Sequence, residues 1–311
     1  MKIAVIGVGG VGGYIGAKLA AVGSKDLAVC FVARGEHLKA IQERGLTVQS
    51  RDFAGGKINV KPWIATDRLG DLWQAEVFIV TVKGYDLAKV ALDLKPLVKK
   101  ETVILPLLNG ADIYDRLRRV IPNGIILPGC IYISAHLGAA GTVNHTSTPG
   151  RIILGKDPKH PDFVPEALLQ VFNKAKLDYV WKENAACDIW EKYIFISAFS
   201  LVSACYERTI GEILADPALL EITVGIMKEV FRIALARGIA LPEQVVDLAL
   251  KKASGFPFET RTSFQLDVAA GKPQNELEIL GGAIIEMGKE SGVSTDFTNR
   301  VYSQLEKGER D

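Results

Sequence analysis

The stretch KIAVIGVGGVGG, Lys2 to Gly13, decides the fold. Its first five residues are a short apolar run suited to a β-strand, and a helical stretch from Gly13 to Val22 follows. Between them Gly7-Val8-Gly9-Gly10-Val11-Gly12 has the spacing G-x-G-x-x-G. In the order strand, tight turn, helix, Gly7 permits the turn, Gly9 lets backbone approach a pyrophosphate, and Gly12 lets helix pack closely on strand. The phosphates then rest on the helix N-terminus, where free N–H groups and the helix dipole favour an anion. A glycine-rich turn alone is only a turn. Set between a strand and a helix, these six residues are the expected cofactor-binding loop.

Working outward, the second strand, Leu27 to Ala33, ends at Arg34-Gly35. An NAD enzyme offers Asp or Glu to the ribose 2′-hydroxyl at this place, whereas a guanidinium can pair with a 2′-phosphate. NADP(H) is therefore expected over NAD. Two more strands repeat the pattern: EVFIVTV, Glu76 to Val82, ends at Lys83-Gly84, and TVILPLL, Thr102 to Leu108, ends at Asn109-Gly110 before a helix near Asp112. Ligands of open parallel sheets bind beyond the carboxyl ends of the strands, so Arg34, Lys83 and Asn109 are expected to project toward one crevice. The runs Ile131 to Ala135, Thr142 to His145 and Arg151 to Leu154, a helix from Pro165 to Ala175 and a strand from Asp178 to Trp181 are expected to complete the same sheet. His145 reads as a strand-edge residue.

From about Asn184 helical periodicity takes over. Helices are expected over Ala185 to Cys205, Pro217 to Arg237, Pro242 to Ser254, Ser263 to Ala270, Glu276 to Glu290 and Phe297 to Lys307, with Pro217 and Pro242 in first turns and Gly238 and Gly292 as C-caps. The fold class is thus an α/β Rossmann-type doubly wound domain, residues 1–183, followed by an all-α domain, residues 184–311. In the first of these helices the apolar run DIWEKYIFISAFSLVSA, Asp188 to Ala204, carries a single lysine, Lys192. Its ammonium either snorkels to water or is kept desolvated, which lowers a lysine pKa toward the range useful for proton transfer. Lys192, Ile196 and Ser200 fall at i, i+4 and i+8, with Ser203 near the same stripe. Glu276, in PQNELEILGG, is a candidate carboxylate to orient the ammonium.

Composition narrows the partners. The chain has 311 residues, 48% of them hydrophobic and 23% charged, which suits two globular domains rather than disorder. With 37 basic against 36 acidic residues there is no global field for nucleic acid or an anionic membrane. A small-molecule ligand met by a local site is expected, and a monomer or a homodimer fits equally. Cys30, Cys130, Cys187 and Cys205 form no CxxC pair and read as small core residues in a reducing compartment; His37, His136, His145 and His160 lack ligand spacing, so no metal is expected. The N-terminus imitates a signal peptide superficially, but its glycines have the better explanation above. The longest later apolar run, Tyr193 to Tyr206, is too short to cross ~30 Å of hydrocarbon as a helix, and a cytoplasmic protein is expected.

Taken together, these motifs resemble the ketopantoate reductase (2-dehydropantoate 2-reductase) family over essentially the whole chain. The matching residues are GVGGVGG, Arg34-Gly35, Lys83 after EVFIVTV, Asn109-Gly110, GTVNH with GRIILG, Trp190-Glu191-Lys192, Thr262-Ser263-Phe264 with Asp267, and Glu276-Leu277-Glu278. The resemblance implies a Rossmann domain and a helical domain, with NADPH and a 2-oxo acid meeting in a cleft between them. It implies Lys192 as general acid, Glu276 as its support and a contact for the ligands, and Arg34 and Lys83 at the 2′-phosphate end. Asn109 would touch cofactor and substrate, Ser263 and Ser200 the substrate, and Ala135 the nicotinamide. The implied reaction is reduction of 2-dehydropantoate to (R)-pantoate on the way to pantothenate and coenzyme A.

The chain departs from the family pattern at Ile196, Ser200 and Ile210, where the family usually has asparagines. Ser200 still donates a hydrogen bond; the isoleucines do not. A different branched or hydrophobic 2-oxo acid is therefore the nearest alternative substrate. A β-hydroxyacid dehydrogenase fits the cofactor loop less well, and an NADP-binding sensor without turnover is the alternative from another class.

Overall fold

A computed structural model describes residues 1–146 and 149–308. In the first unit, Met1–Leu108 with Ile113–Ala185, the run KIAVI forms β1 (Lys2–Ile6), and the glycine-rich stretch opens α1 (Gly10–Ala20). There follow β2 (Ala28–Val32), α2 (Gly35–Arg44), β3 (Leu46–Gln49), β4 (Lys57–Val60), β5 (Ile64–Thr66), β6 (Val77–Val80), α3 (Leu87–Leu94), β7 (Val103–Pro106), α4 (Ile113–Val120) and β8 (Ile125–Ile126). Strands β5-β2-β1-β6-β7-β8 pair in that order as one sheet, parallel throughout. Their apolar residues are buried on both faces, the usual pattern for parallel strands under helices. The order reverses between β1 and β6, and Ile6 lies opposite both Val32 and Val80, so the trailing loops of β1, β2 and β6 leave the same edge at the topological switch point.

The later strands do not complete this sheet, as periodicity suggested. β9 (Gly129–Tyr132), β12 (Arg151–Gly155) and β13 (Asp178–Lys182), with α5 (Glu166–Lys174) before the last, form a three-stranded sheet in the order β13-β12-β9. β10 (Ala135–Leu137) and β11 (Thr142–His145) join β3 and β4 in a four-stranded sheet, order β10-β11-β3-β4. Alternating burial in LTVQ and KINV marks β3 and β4 as half-covered strands, and their cover is α1. That helix is thus sandwiched: a Cβ on Gly16 would stand 2.7 Å from the Phe31 ring of β2, and one on Gly13 would stand 2.6 Å from Val143 Cγ2 of β11. His145 ends β11 as expected but is buried rather than at a free edge, its Nδ1 2.7 Å from Ser50 Oγ and its ring 4.4 Å from that of Tyr14.

One buried charge network ties the unit's far edge. Asp157 is fully enclosed and pairs with Arg118 Nη2; it accepts from Tyr114 Oη at 2.7 Å and from the Ile126 N–H at 2.9 Å. Arg118 also donates to the carbonyls of Asn123 and Gly124, so the α4–β8 turn is clamped from both sides.

The second unit runs from Ala186 onward and includes the short segment Asn109–Asp112. It contains α6 (Ala186–Cys205), α7 (Ile210–Ala215), α8 (Pro217–Ala236), α9 (Val245–Ala253), α10 (Ser263–Ala269), α11 (Ala283–Ser291) and α12 (Asp296–Lys307). Pro217 is in the first turn of α8 behind an Asp216 cap, whereas Pro242 precedes α9, which starts behind Gln244. α7 is an addition to the sequence reading, closed by a capping box in which Thr209 and Glu212 satisfy each other's backbone N–H. The expected helix from Glu276 is also different: a π-helical turn, Glu278–Gly282, precedes α11. Cys30, Cys130 and Cys205 are buried as expected, but Cys187 is half-exposed; all four are reduced thiols. Among the described residues no helix is long and apolar enough to cross a membrane, and no group of three or more His, Cys, Asp or Glu side chains gathers as a metal-ion site.

Candidate active site

At the end of β1 the chain turns through Gly7, whose φ of +89° is open to glycine and strained for other residues. The N–H groups of Gly7 and Val8 both donate to the Val32 carbonyl at the end of β2, at 3.1 and 3.0 Å, which anchors the loop. Thr81 does the same from β6, its Oγ1 donating to the carbonyls of Ile6 and Gly7 at 3.0 Å each. A Cβ on Gly12 would fall 2.3 Å from Gly7 O and 2.4 Å from Thr81 Oγ1, so this glycine sets the helix–strand approach. Gly9 differs: a Cβ there would meet nothing within 4 Å. It occupies the N-cap of α1, and among the described residues no side chain caps that helix. Open space before N–H groups that no side chain caps fits the pyrophosphate of a dinucleotide.

Around this loop stand the other residues read from the sequence. Arg34, at the N-cap of α2, reaches Asp86 at 3.3 Å, and Asp86 closes the single turn that begins at Lys83. The structure therefore brings Arg34 and the Lys83 loop together. Ala135 lies against the loop too, because a Cβ on Gly10 would fall 2.2 Å from its carbonyl oxygen. Thr81, Asp86 and His37 carry no signal of their own in the sequence. His37 Nδ1 accepts the Gly141 N–H at 3.0 Å, and burial holds its imidazole below the usual range, hence neutral at pH 7. Nothing in the local pattern marks these three; they are defined by what folds against them.

In the helical unit Lys192 is 8% exposed, and its Nζ donates to Asn109 Oδ1 at 2.9 Å. The snorkelling reading therefore gives way to the desolvated one: the head group is turned onto an amide oxygen inside the unit. Asn109 belongs with these helices, in the short segment Asn109–Asp112, whereas Arg34 and Lys83 belong to the first unit. Glu276 is 5% exposed, two residues before the π-helical turn. Ser200 is buried on α6, and Ser203 stands 2.9 Å from Thr262 Oγ1, the cap of α10, which places exposed Ser263 at the start of that helix. Ile196 is half-buried one turn beyond Lys192, and Ile210 is buried.

Residues 3–159 match the family model Ketopantoate reductase PanE/ApbA, and residues 184–309 match Ketopantoate reductase PanE/ApbA C terminal. The chain belongs to the ketopantoate reductase family. It is 28% identical over 306 residues to an uncharacterised oxidoreductase, YkpB, of Bacillus subtilis, covering 98% of both chains. It is also 30% identical over 289 residues to a 2-dehydropantoate 2-reductase of Pyrococcus horikoshii, covering 93% of this chain and 91% of the other. The crystal structure of a PanE/ApbA family ketopantoate reductase from Ralstonia eutropha superposes with a TM-score of 0.88 at 26% identity, covering 99% of this chain and 98% of that one. As a member of the ketopantoate reductase family the protein is an NADP(H)-dependent oxidoreductase acting on CH–OH, and the family acts on small-molecule 2-oxo acids.

Proposed function

We propose that the protein reduces 2-dehydropantoate to (R)-pantoate with NADPH, in the formation of pantothenate and coenzyme A. The observation that carries the reading is the buried Lys192 ammonium on Asn109, in a chain whose two halves both match the family. Bound NADPH would supply the hydride. Gly7, Val8, Gly9, Gly10, Val11 and Gly12 hold its pyrophosphate, Arg34 and Lys83 its 2′-phosphate, and Ala135 borders the nicotinamide. For Arg34 this means exchanging the Asp86 carboxylate for phosphate, a small loss because the Arg34 side chain of that pair is 60% exposed.

Reduction of the C2 carbonyl places negative charge on its oxygen. An ammonium aimed there stabilises that charge and delivers the proton. Lys192 is the group for both, Asn109 restrains its head, and Glu276 supports it and the ligands. Ser200 and Ser263 offer hydroxyls to the substrate. A second reading, a 2-oxo acid with a branched or otherwise apolar side chain, is favoured by Ile196, which presents a half-buried hydrocarbon surface one turn from the lysine.

The test is NADPH consumption across a panel of 2-oxo acids, for the native chain and for Lys192→Ala. Turnover of 2-dehydropantoate that drops ~10²-fold or more in the variant supports the first reading. Preference for an acid without the distal hydroxyl transfers the assignment to the second, and undiminished turnover by Lys192→Ala removes the lysine from the mechanism.

A further inference from the structure

Next to Lys192 on α6 is Tyr193, 1% exposed, and it is not part of the chemistry described above. Its ring packs edge-on against Trp190 at 6.3 Å, and its hydroxyl donates to the Ile279 carbonyl at 2.7 Å. Ile279 lies inside the π-helical turn Glu278–Gly282. Hydrogen bonding there changes step directly after Glu276. The Glu276 carbonyl accepts from Leu280, four residues on, while the Glu278 carbonyl accepts from Ala283, five residues on. The widened turn is pressed onto α6 at a second point, since a Cβ on Gly281 would stand 3.2 Å from Leu201 Cδ2. The same Cβ would stand 2.8 Å from Tyr302 Cδ2 of α12, so α12 and two contacts on α6 together hold the turn that follows Glu276, and the polar contact is Tyr193.

We propose that Tyr193 is a positioning residue for Lys192 and Glu276: its hydroxyl holds the π-helical turn in the register that sets the carboxylate against the lysine's helix. This rests on Lys192 being the proton donor and Glu276 its support. Adjacent residues on a helix point about 100° apart, so Lys192 and Tyr193 face different neighbours, and one helical segment sets both the acid and the turn that follows its partner. π-helical turns recur at functional sites because they redirect side chains that a regular ladder would aim elsewhere.

The test is Tyr193→Phe, which removes only the hydroxyl. kcat is expected to fall ~10-fold, with NADPH affinity and substrate KM changed less than about 2-fold. The second readout is free of turnover: ¹³C NMR of the reductively dimethylated full chain, with the Lys192 signal assigned by Lys192→Arg. Its titration midpoint is expected to fall by about half a unit in Tyr193→Phe, because a carboxylate held out of register favours the charged form less. Working well below the variant's own melting midpoint keeps both comparisons on folded protein. An unchanged kcat with an unchanged midpoint, whatever the melting temperature does, overturns the proposal and leaves Tyr193 as core packing. If Lys192→Ala keeps full turnover, the acid assignment fails instead, and the Lys192 titration still decides whether Tyr193 governs that group.

Discussion

Gly9 and Gly12 respond oppositely to an added methyl group. At Gly9 the space is open and φ is −89°, so Gly9→Ala is expected to keep the melting temperature within about 2 °C while placing a methyl group in the open space before α1. NADPH affinity should drop about 10-fold or more, a loss of ~1.4 kcal/mol measured by titration calorimetry. At Gly12 the methyl would strike backbone, and Gly12→Ala is expected to destabilise the fold by about 1–3 kcal/mol in denaturant melts. Equal stability losses in the two variants would deny Gly9 a ligand-facing role. Arg34→Ala makes a separate demand: its pair with Asp86 is exposed enough that stability should barely change, whereas NADPH binding should weaken ~10–100-fold and NADH binding should not. Parallel weakening of both cofactors would remove Arg34 from the 2′-phosphate.

Among the elements, α4 and β8 depend on one carboxylate. Burial alone would push Asp157 up, but hydrogen bonds from Tyr114 and His160 and from the N–H groups of Lys159 and Ile126 outweigh it and hold the group below the usual carboxylate range. A depressed folded-state pKa contributes stability that is complete above the unfolded value, about 3.9, and is lost as pH falls through the folded one. Melting temperature should therefore fall with acid below about pH 4, and Asp157→Asn should flatten that fall. At neutral pH the same variant leaves Arg118 buried without its charge partner and should cost about 3 kcal/mol in chemical denaturation. A neutral-pH stability equal to the native chain's would show that the clamp on the α4–β8 turn is redundant. Elements are legible where their signal is local. β1, α1 and the long helices follow from period and glycine spacing, and Thr209 with Glu212 three residues later is a local signal of the same kind for α7. The π-helical turn is not readable, because its apolar pattern is that of an ordinary helix and its step depends on contacts from α6.

Across the whole molecule, sequence yields the two-part class but not the partition of strands. The glycine-rich motif announces a doubly wound sheet; nothing in the runs after Ile133 announces that they pair elsewhere, because pairing is set by distant partners such as Val48 opposite Val143. The candidate site divides in the same way. Lys192, Glu276, Arg34 and the glycines are found from residue type in context, whereas Asn109's place among the helices arises only from the folded contacts. The sandwiching of α1 has a consequence for biogenesis. Its outer glycine face is covered by β3 and β11, and β11 is synthesised long after the helix itself. On a ribosome, the glycine-rich loop is thus finished late: a nascent chain halted between β4 and Val143 leaves the Gly13 side of α1 without the β11 residue that packs on it in the completed protein.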